Sequence, residues 1–214
     1  YDIASCLVGS EMCIRDRTET AWNLCNLEDT LDLLLDRDIY KKQLTLKKNM
    51  ELQHPKVYCD VLKIQEITMN LLSNAVKYTP EGGTIHFTIR ELPYEREGYA
   101  LFQTVVEDTG IGISKEYIPH LFEAFSREKS SSESGIIGTG LGLRIVKKFV
   151  DLMEGSIVVE SEIGEGTRFT VTIPHRIATA NEYISEENAK ELPEEIKLNN
   201  VRILLAEDNM LNAE

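Results

Sequence analysis

Long apolar runs, an excess of basic charge and paired cysteines are all scarce in this chain of 214 residues. Apolar runs stop after a few residues, as at 33–35, far short of the ~20 that a membrane-spanning helix requires. No basic flank leads into an apolar stretch, so a secretory signal is not expected. Lys and Arg number 23 against 36 Asp and Glu, a formal charge of −13. Nucleic-acid binding needs basic surface to displace counterions, so no nucleic-acid partner is expected, and contact with an anionic membrane is disfavoured for the same reason. The four cysteines, Cys6, Cys13, Cys25 and Cys59, have neither zinc-site nor CxxC spacing, which fits reduced thiols in a cytoplasmic setting. What is present, 42% hydrophobic and 28% charged residues, is a globular composition, long enough for one or two domains with a sizeable core.

The chain begins on Tyr1 and stops at Glu214 just after what reads as a first strand, so both ends are expected to be cut. Residues 5–17, SCLVGSEMCIRDR, fit no structural period and look like translated adapter sequence, or else a linker. Segment 1–17 is therefore set apart. The spacing of Leu27, Leu31, Leu34, Leu35 and Ile39 predicts an amphipathic helix over 27–43, and 43–50 alternates in a way compatible with a strand. Residues 60–78 carry the strongest helical pattern. Strands are predicted at 84–90 and 99–108, joined by a hairpin loop over 93–98. A serine-rich loop at 126–137 precedes a helix over 139–154, with Gly155 as its C-cap. GSIVVES and TRFTVTIP read as two further strands. Residues 178–199 form an acidic linker, and VRILLAEDN at 201–209 begins something new.

On the 60–78 helix, Lys63, Glu66, Asn70, Asn74 and Lys77 fall on one stripe at about 100° per residue. Apolar arcs flank it: Ile64, Ile67, Leu71, Ala75 and Tyr78 on one side, Met69, Leu72 and Val76 on the other. Two amides and a lysine suit a metal-bound phosphate, since amide oxygens ligate magnesium and lysine neutralises phosphate. Taken alone, the stripe fits a solvated helix face somewhat better.

Two glycine-rich segments follow. DTGIGIS at 108–114 comes directly after a strand, and Gly110 and Gly112 allow close approach of backbone to ligand. Alone, it also reads as an ordinary strand-to-helix turn. GTGLGL at 138–143 opens a helix, where backbone amides bind phosphate well. No Gly-Lys-Ser/Thr follows, so it is not a Walker loop, and no strand precedes it, so it is not a dinucleotide fingerprint.

In order, NLLSNAVKYTPEGG, DTGIGIS, LFEAFSR, GTGLGL and GEGTRFTVTIP closely resemble the catalytic ATP-binding domain of histidine kinases across residues 24–176. The resemblance implies an α+β fold, a two-layer α/β sandwich of the Bergerat type with helices on one face of a mixed sheet, occupying 18–177. It also implies ATP and magnesium as ligands. Asn74 would hold the magnesium with Asn70 in support, Lys77 would reach phosphate, and Tyr78 would pack near the nucleotide. Asp108 would accept a hydrogen bond from the adenine amine, in a pocket shaped by Gly110 and Gly112 with Thr167 at the same end. Phe122 and Phe125 would anchor a lid at 126–138. Gly138, Thr139, Gly140, Leu141 and Gly142 would hold the phosphates and hinge that lid.

None of His54, His86, His120 and His175 has the context of a phospho-acceptor, and each reads as a surface residue. The resemblance therefore implies a histidine-bearing dimerisation domain upstream, a homodimeric parent, and a cytoplasmic catalytic domain compatible with a membrane-anchored parent. VRILLAEDN resembles the first strand of a receiver domain over 200–214, with Glu207 and Asp208 as an incomplete magnesium site. That order of domains is the order in a hybrid kinase. A rival is an ATPase of the same superfold, as in gyrase, the heat-shock chaperones and the mismatch-repair proteins. Those enzymes carry a hydrolytic glutamate four residues before the magnesium asparagine, where this chain has Asn70. An amide cannot serve as a general base. A second rival is a nucleotide-binding scaffold without catalysis.

Overall fold

The computed structural model describes residues 19–123, 126 and 140–179. Phe125, Gly138, Thr139, Glu207, Asp208, Cys6 and Cys13 lie outside the described residues, as do segment 1–17, the lid at 127–138 and the receiver-like tail. The elements run β1 (Thr20–Asn23), α1 (Asn26–Lys41), β2 (Thr45–Glu51), β3 (Lys56–Cys59), α2 (Val61–Tyr78), β4 (Thr84–Leu92) and β5 (Tyr99–Asp108). A 3-10 turn over Ile118–His120, α3 (Gly142–Leu152), β6 (Ser156–Glu162) and β7 (Gly166–Ile177) complete them.

The strands make one sheet of seven in the order β1-β3-β7-β5-β4-β2, with β6 also paired to β7. β2 runs parallel to β4, whereas every other pairing is antiparallel, so the sheet is mixed as expected. One edge of β7 carries β5 along its length. The other edge is shared between β6 and the end of β3.

Alternation decides which face is buried. Ile85, Phe87 and Ile89 of β4, Phe102 and Val106 of β5, and Phe169, Val171 and Ile173 of β7 all point to one side and are buried. They meet Leu27, Leu31 and Leu35 of α1, Ile67, Leu71 and Leu72 of α2, and Val146, Phe149 and Val150 of α3 in a single core. Each such side chain contributes about 2 kcal/mol of burial. The opposite face is polar. There Arg90, Gln103 and Thr172 form a hydrogen-bonded rung across three strands, and Arg168 pairs with Glu107.

Helix α2 starts where Asp60 caps it, accepting from the Lys63 amide at 3.2 Å. It ends where Thr79 turns extended and donates its hydroxyl to the Ala75 carbonyl at 2.6 Å. Lys63 does not join the polar stripe. It is 7% exposed, ion-paired with Asp60 and set 5.8 Å from the Phe149 ring centroid.

The two shortest strands, β1 and β3, were not expected, because four residues are too few to display alternation. The residue that adopts the left-handed backbone after α3 is Glu154, at φ 56, not Gly155. Gly155 is small for another reason: a Cβ there would lie 2.6 Å from the Thr172 carbonyl. His175 is 2% exposed rather than on the surface, with its ring 5.6 Å from that of Phe102. Strand β7 continues to Ile177, so position 175 keeps the inward phase of residues 169, 171 and 173. No described helix is long and apolar enough to cross a membrane.

Candidate functional site

Helix α2 presents its asparagines away from the core, toward the start of α3 and the loop that follows β5. These elements enclose a cleft of about 270 Å³ lined by Asn70, Ser73, Asn74, Lys77, Tyr78, Asp108, Gly112, Gly140, Gly142 and Thr167, with apolar walls that include Ile113, Tyr117 and Leu143. Nine of the residues singled out in the sequence thus converge on one place. Among the predicted stripe, Asn70, Asn74 and Lys77 face the cleft, while Glu66 is exposed and Lys63 is buried elsewhere.

Asp108, the last residue of β5, stands at the inner end of this cleft at 7% exposure. Its carboxylate accepts the Gly110 amide at 2.8 Å and the Thr167 amide. Burial pushes its pKa up to about 6, the two amides pulling down and the Glu107 charge adding to the rise. A buried carboxylate with spare acceptor capacity is suited to a ligand that donates hydrogen bonds.

The glycines of the 108–114 loop have distinct duties. Gly110 does not line the cleft. It sits beneath Asp108, where a Cβ would come within 2.5 Å of the carboxylate and 2.8 Å of the Tyr78 carbonyl. Gly112 has φ 71 and passes so close to the Glu162 carbonyl that no side chain fits. Hydrogen bonds fix the loop on both sides: Ile111 N–H to the Tyr78 carbonyl at 3.2 Å, and Ile113 N–H to Ser161 Oγ at 2.8 Å. Ser161 also pairs with Thr167 Oγ1 at 2.8 Å.

Gly142 begins α3 directly against Asn70, and a Cβ there would collide with Asn70 Oδ1. The Asn70 amide nitrogen donates to the Glu66 carbonyl at 2.8 Å, which turns its oxygen toward Gly142. Lys77 Nζ lies 5.1 Å from the Tyr78 ring centroid. Leu141 precedes α3 and accepts from the Ile145 amide without lining the cleft, and Phe122 packs on the core while its neighbour Leu121 reaches the cleft.

Ser73, Ile111, Ile113, Tyr117, Leu121, Leu143 and Phe169 are cleft residues that the sequence reading did not single out. Ser73, Ile111, Ile113, Leu121 and Leu143 lay inside recognised motifs, and Phe169 lay in a recognised strand. Tyr117 precedes a 3-10 turn, whose shortness leaves no periodicity to read.

No group of three or more His, Cys, Asp or Glu able to hold a metal occurs among the described residues. On the α2 wall of the cleft, Asn70 and Asn74 offer amide oxygens and Ser73 a hydroxyl. That set is too weak to retain a cation by itself and fits one carried mainly by a ligand's own phosphates, as magnesium commonly is.

Residues 59–177 match the family model described as histidine kinase-, DNA gyrase B-, and HSP90-like ATPase. The chain is 36% identical over 157 residues to the autoinducer 2 sensor kinase/phosphatase LuxQ of Vibrio vulnificus, covering 73% of this chain and 18% of that protein. It is 38% identical over 148 residues to the sensor protein GacS of Pseudomonas syringae, of which it spans 16%. Among solved structures, the catalytic domain of the histidine kinase ThkA in nucleotide-free form matches with a TM-score of 0.62 at 26% identity. That match covers 73% of this chain and 95% of that one.

Proposed function

We propose a function that proceeds from one premise: the chain belongs to the histidine kinase-, DNA gyrase B-, and HSP90-like ATPase family. Within it, the chain is the ATP-binding catalytic domain of a sensor histidine kinase. It spans under a fifth of the length of its curated relatives, and the reaction of the whole protein is read from this piece. In that reaction, the γ-phosphoryl group of ATP passes to a nitrogen of a histidine on a dimerisation domain outside these residues. The new N–P bond forms as the bond to the β-phosphate oxygen breaks and ADP leaves.

The observation that carries this reading is Asp108 at one end of a cleft whose other wall bears Asn70, Asn74 and Lys77. Asp108 accepts the adenine amine and Lys77 neutralises phosphate. Asn74, supported by Asn70, would hold magnesium, which would supply charge neutralisation on the phosphates. The domain's contribution is positioning and electrostatics, as phosphoryl transfer requires. The parent is read as a homodimeric hybrid kinase acting in the cytoplasm, with the tail at 200–214 as the start of its receiver.

Hydrolysis by this chain is disfavoured by the same geometry. Among the described residues, the one carboxylate lining the cleft is Asp108, which is engaged by two backbone amides. Glu66 is exposed and does not line the cleft, and its carbonyl accepts from the Asn70 amide.

Adenine presents an amine where guanine presents a carbonyl, so a carboxylate at that edge selects ATP. Titration calorimetry with magnesium present should find ATP binding and GTP binding at least about tenfold weaker. Equal affinity for both nucleotides would remove Asp108 from this role.

A further inference from the structure

Lys42 has no place in any motif, yet its contacts converge on the nucleotide-binding helix. It follows the last residue of α1, and its ammonium donates to the carbonyls of Val76 at 2.7 Å, Lys77 at 2.8 Å and Thr79 at 3.0 Å. These bonds use all three ammonium donors. They satisfy carbonyls that the end of α2 leaves without helical partners, and they set a full positive charge at the negative end of that helix.

The backbone of Lys42 is held as firmly as its side chain. Its amide donates to the Asp38 carbonyl at 3.1 Å, and its carbonyl accepts from Gly82 at 3.0 Å. Gln43 next to it adopts φ 53, a conformation costly for a non-glycine residue, which turns the chain from α1 into β2. Half-buried, the amine is pushed below its ordinary pKa by desolvation, with Asp38 pulling it back up. Burying a lysine in this way is unfavourable unless its donors are fully used.

The segment it grips carries the site. Lys77 and Tyr78 line the cleft. The Tyr78 carbonyl receives the Ile111 amide and lies against Gly110, so the loop bearing Asp108 is seated on the same backbone.

We propose that Lys42 is a positioning residue for nucleotide binding, fixing the end of α2 so that Lys77 and the 108–112 loop face one ligand together. The inference rests on reading the cleft as an ATP site.

The test compares Lys42→Met and Lys42→Gln with the unaltered chain by calorimetric titration with Mg-ATP, well below each protein's unfolding temperature. Gln103→Ala, which breaks the polar rung on the far face of the sheet, serves as a control for stability loss alone. The Met variant is expected to bind ATP about tenfold more weakly, and the Gln variant, which keeps one donor group, about threefold to tenfold more weakly. Gln103→Ala should lower the melting temperature and leave the affinity unchanged. If the Met variant fails to fold, the Gln variant decides. Unchanged ATP affinity in a folded Lys42 variant would overturn the proposal, as would an equal loss in the Gln103 control. Absence of ATP binding by the unaltered chain would instead overturn the reading of the cleft.

Discussion

Asp108 is held at a cost to the fold. In the unfolded chain its carboxyl titrates near 3.8, and in the folded one near 6, chiefly through desolvation. That difference corresponds to about 3 kcal/mol at ~1.4 kcal/mol per tenfold. Between these two values the folded state binds the extra proton. Stability is therefore greatest below the unfolded value, falls as pH rises toward 6, and levels off above it. Asp108→Asn removes the titration. Denaturant unfolding should show the variant gaining roughly 2–3 kcal/mol on the parent chain between pH 4 and pH 7. Calorimetry should show it losing ATP affinity, because its amide hydrogens stand where an acceptor is needed. A constant stability difference across that pH range would contradict the account. Asn74→Ala is the matching test on the phosphate side, and Mg-ATP should bind about tenfold more weakly. At this scale the sequence was legible wherever a residue sat inside a motif, as Asp108 and Asn74 do. It misplaced His175 at the surface, because that burial depends on how far β7 extends, and it was silent on Lys42, whose partners lie some 35 positions away.

Glycine positions in the loops and helix starts set how closely the elements approach. Gly142 is the informative one. As the first residue of α3 it faces Asn70, and no positive φ demands glycine there. Alanine favours a helix by ~1 kcal/mol over glycine, so Gly142→Ala should leave the melting temperature within a few degrees of the parent or above it. Its Cβ pushes Asn70 out of line, so Mg-ATP affinity should fall about threefold to tenfold. A fall in stability with unchanged affinity would show that this contact serves packing alone. Gly112→Ala should behave oppositely. It is strained at φ 71 and collides with the Glu162 backbone, costing more than about 2 kcal/mol in unfolding experiments. The long elements, α2, β4 and β5, were readable from periodicity because each displays several turns or alternations. β1 and β3 were not, since Val57 and Cys59 are buried by pairing with β7 and β1, far away in sequence.

The whole domain joins two requirements through one sheet. Its inner face buries the core beneath three helices, and the upper ends of β5 and β7 deliver Asp108 and Thr167 side by side into the cleft. The α+β class and helices on one face were what the resemblance to histidine kinase catalytic domains implied, and the sheet bears them out. The strand order did not, because pairing β2 parallel to β4 and splitting one edge of β7 between β6 and β3 are non-local choices that periodicity cannot express. The molecule acts as a phosphoryl donor whose described residues offer the cleft no carboxylate besides Asp108. The most direct test of that claim is incubation of the purified chain with γ-labelled ATP and magnesium, alone and with a histidine-bearing dimerisation domain of a sensor kinase. The account predicts label on that domain's histidine, labile to acid and stable to base, and only background phosphate release by the chain alone. Rapid turnover to free phosphate by the chain alone, with no label on the partner, would contradict it.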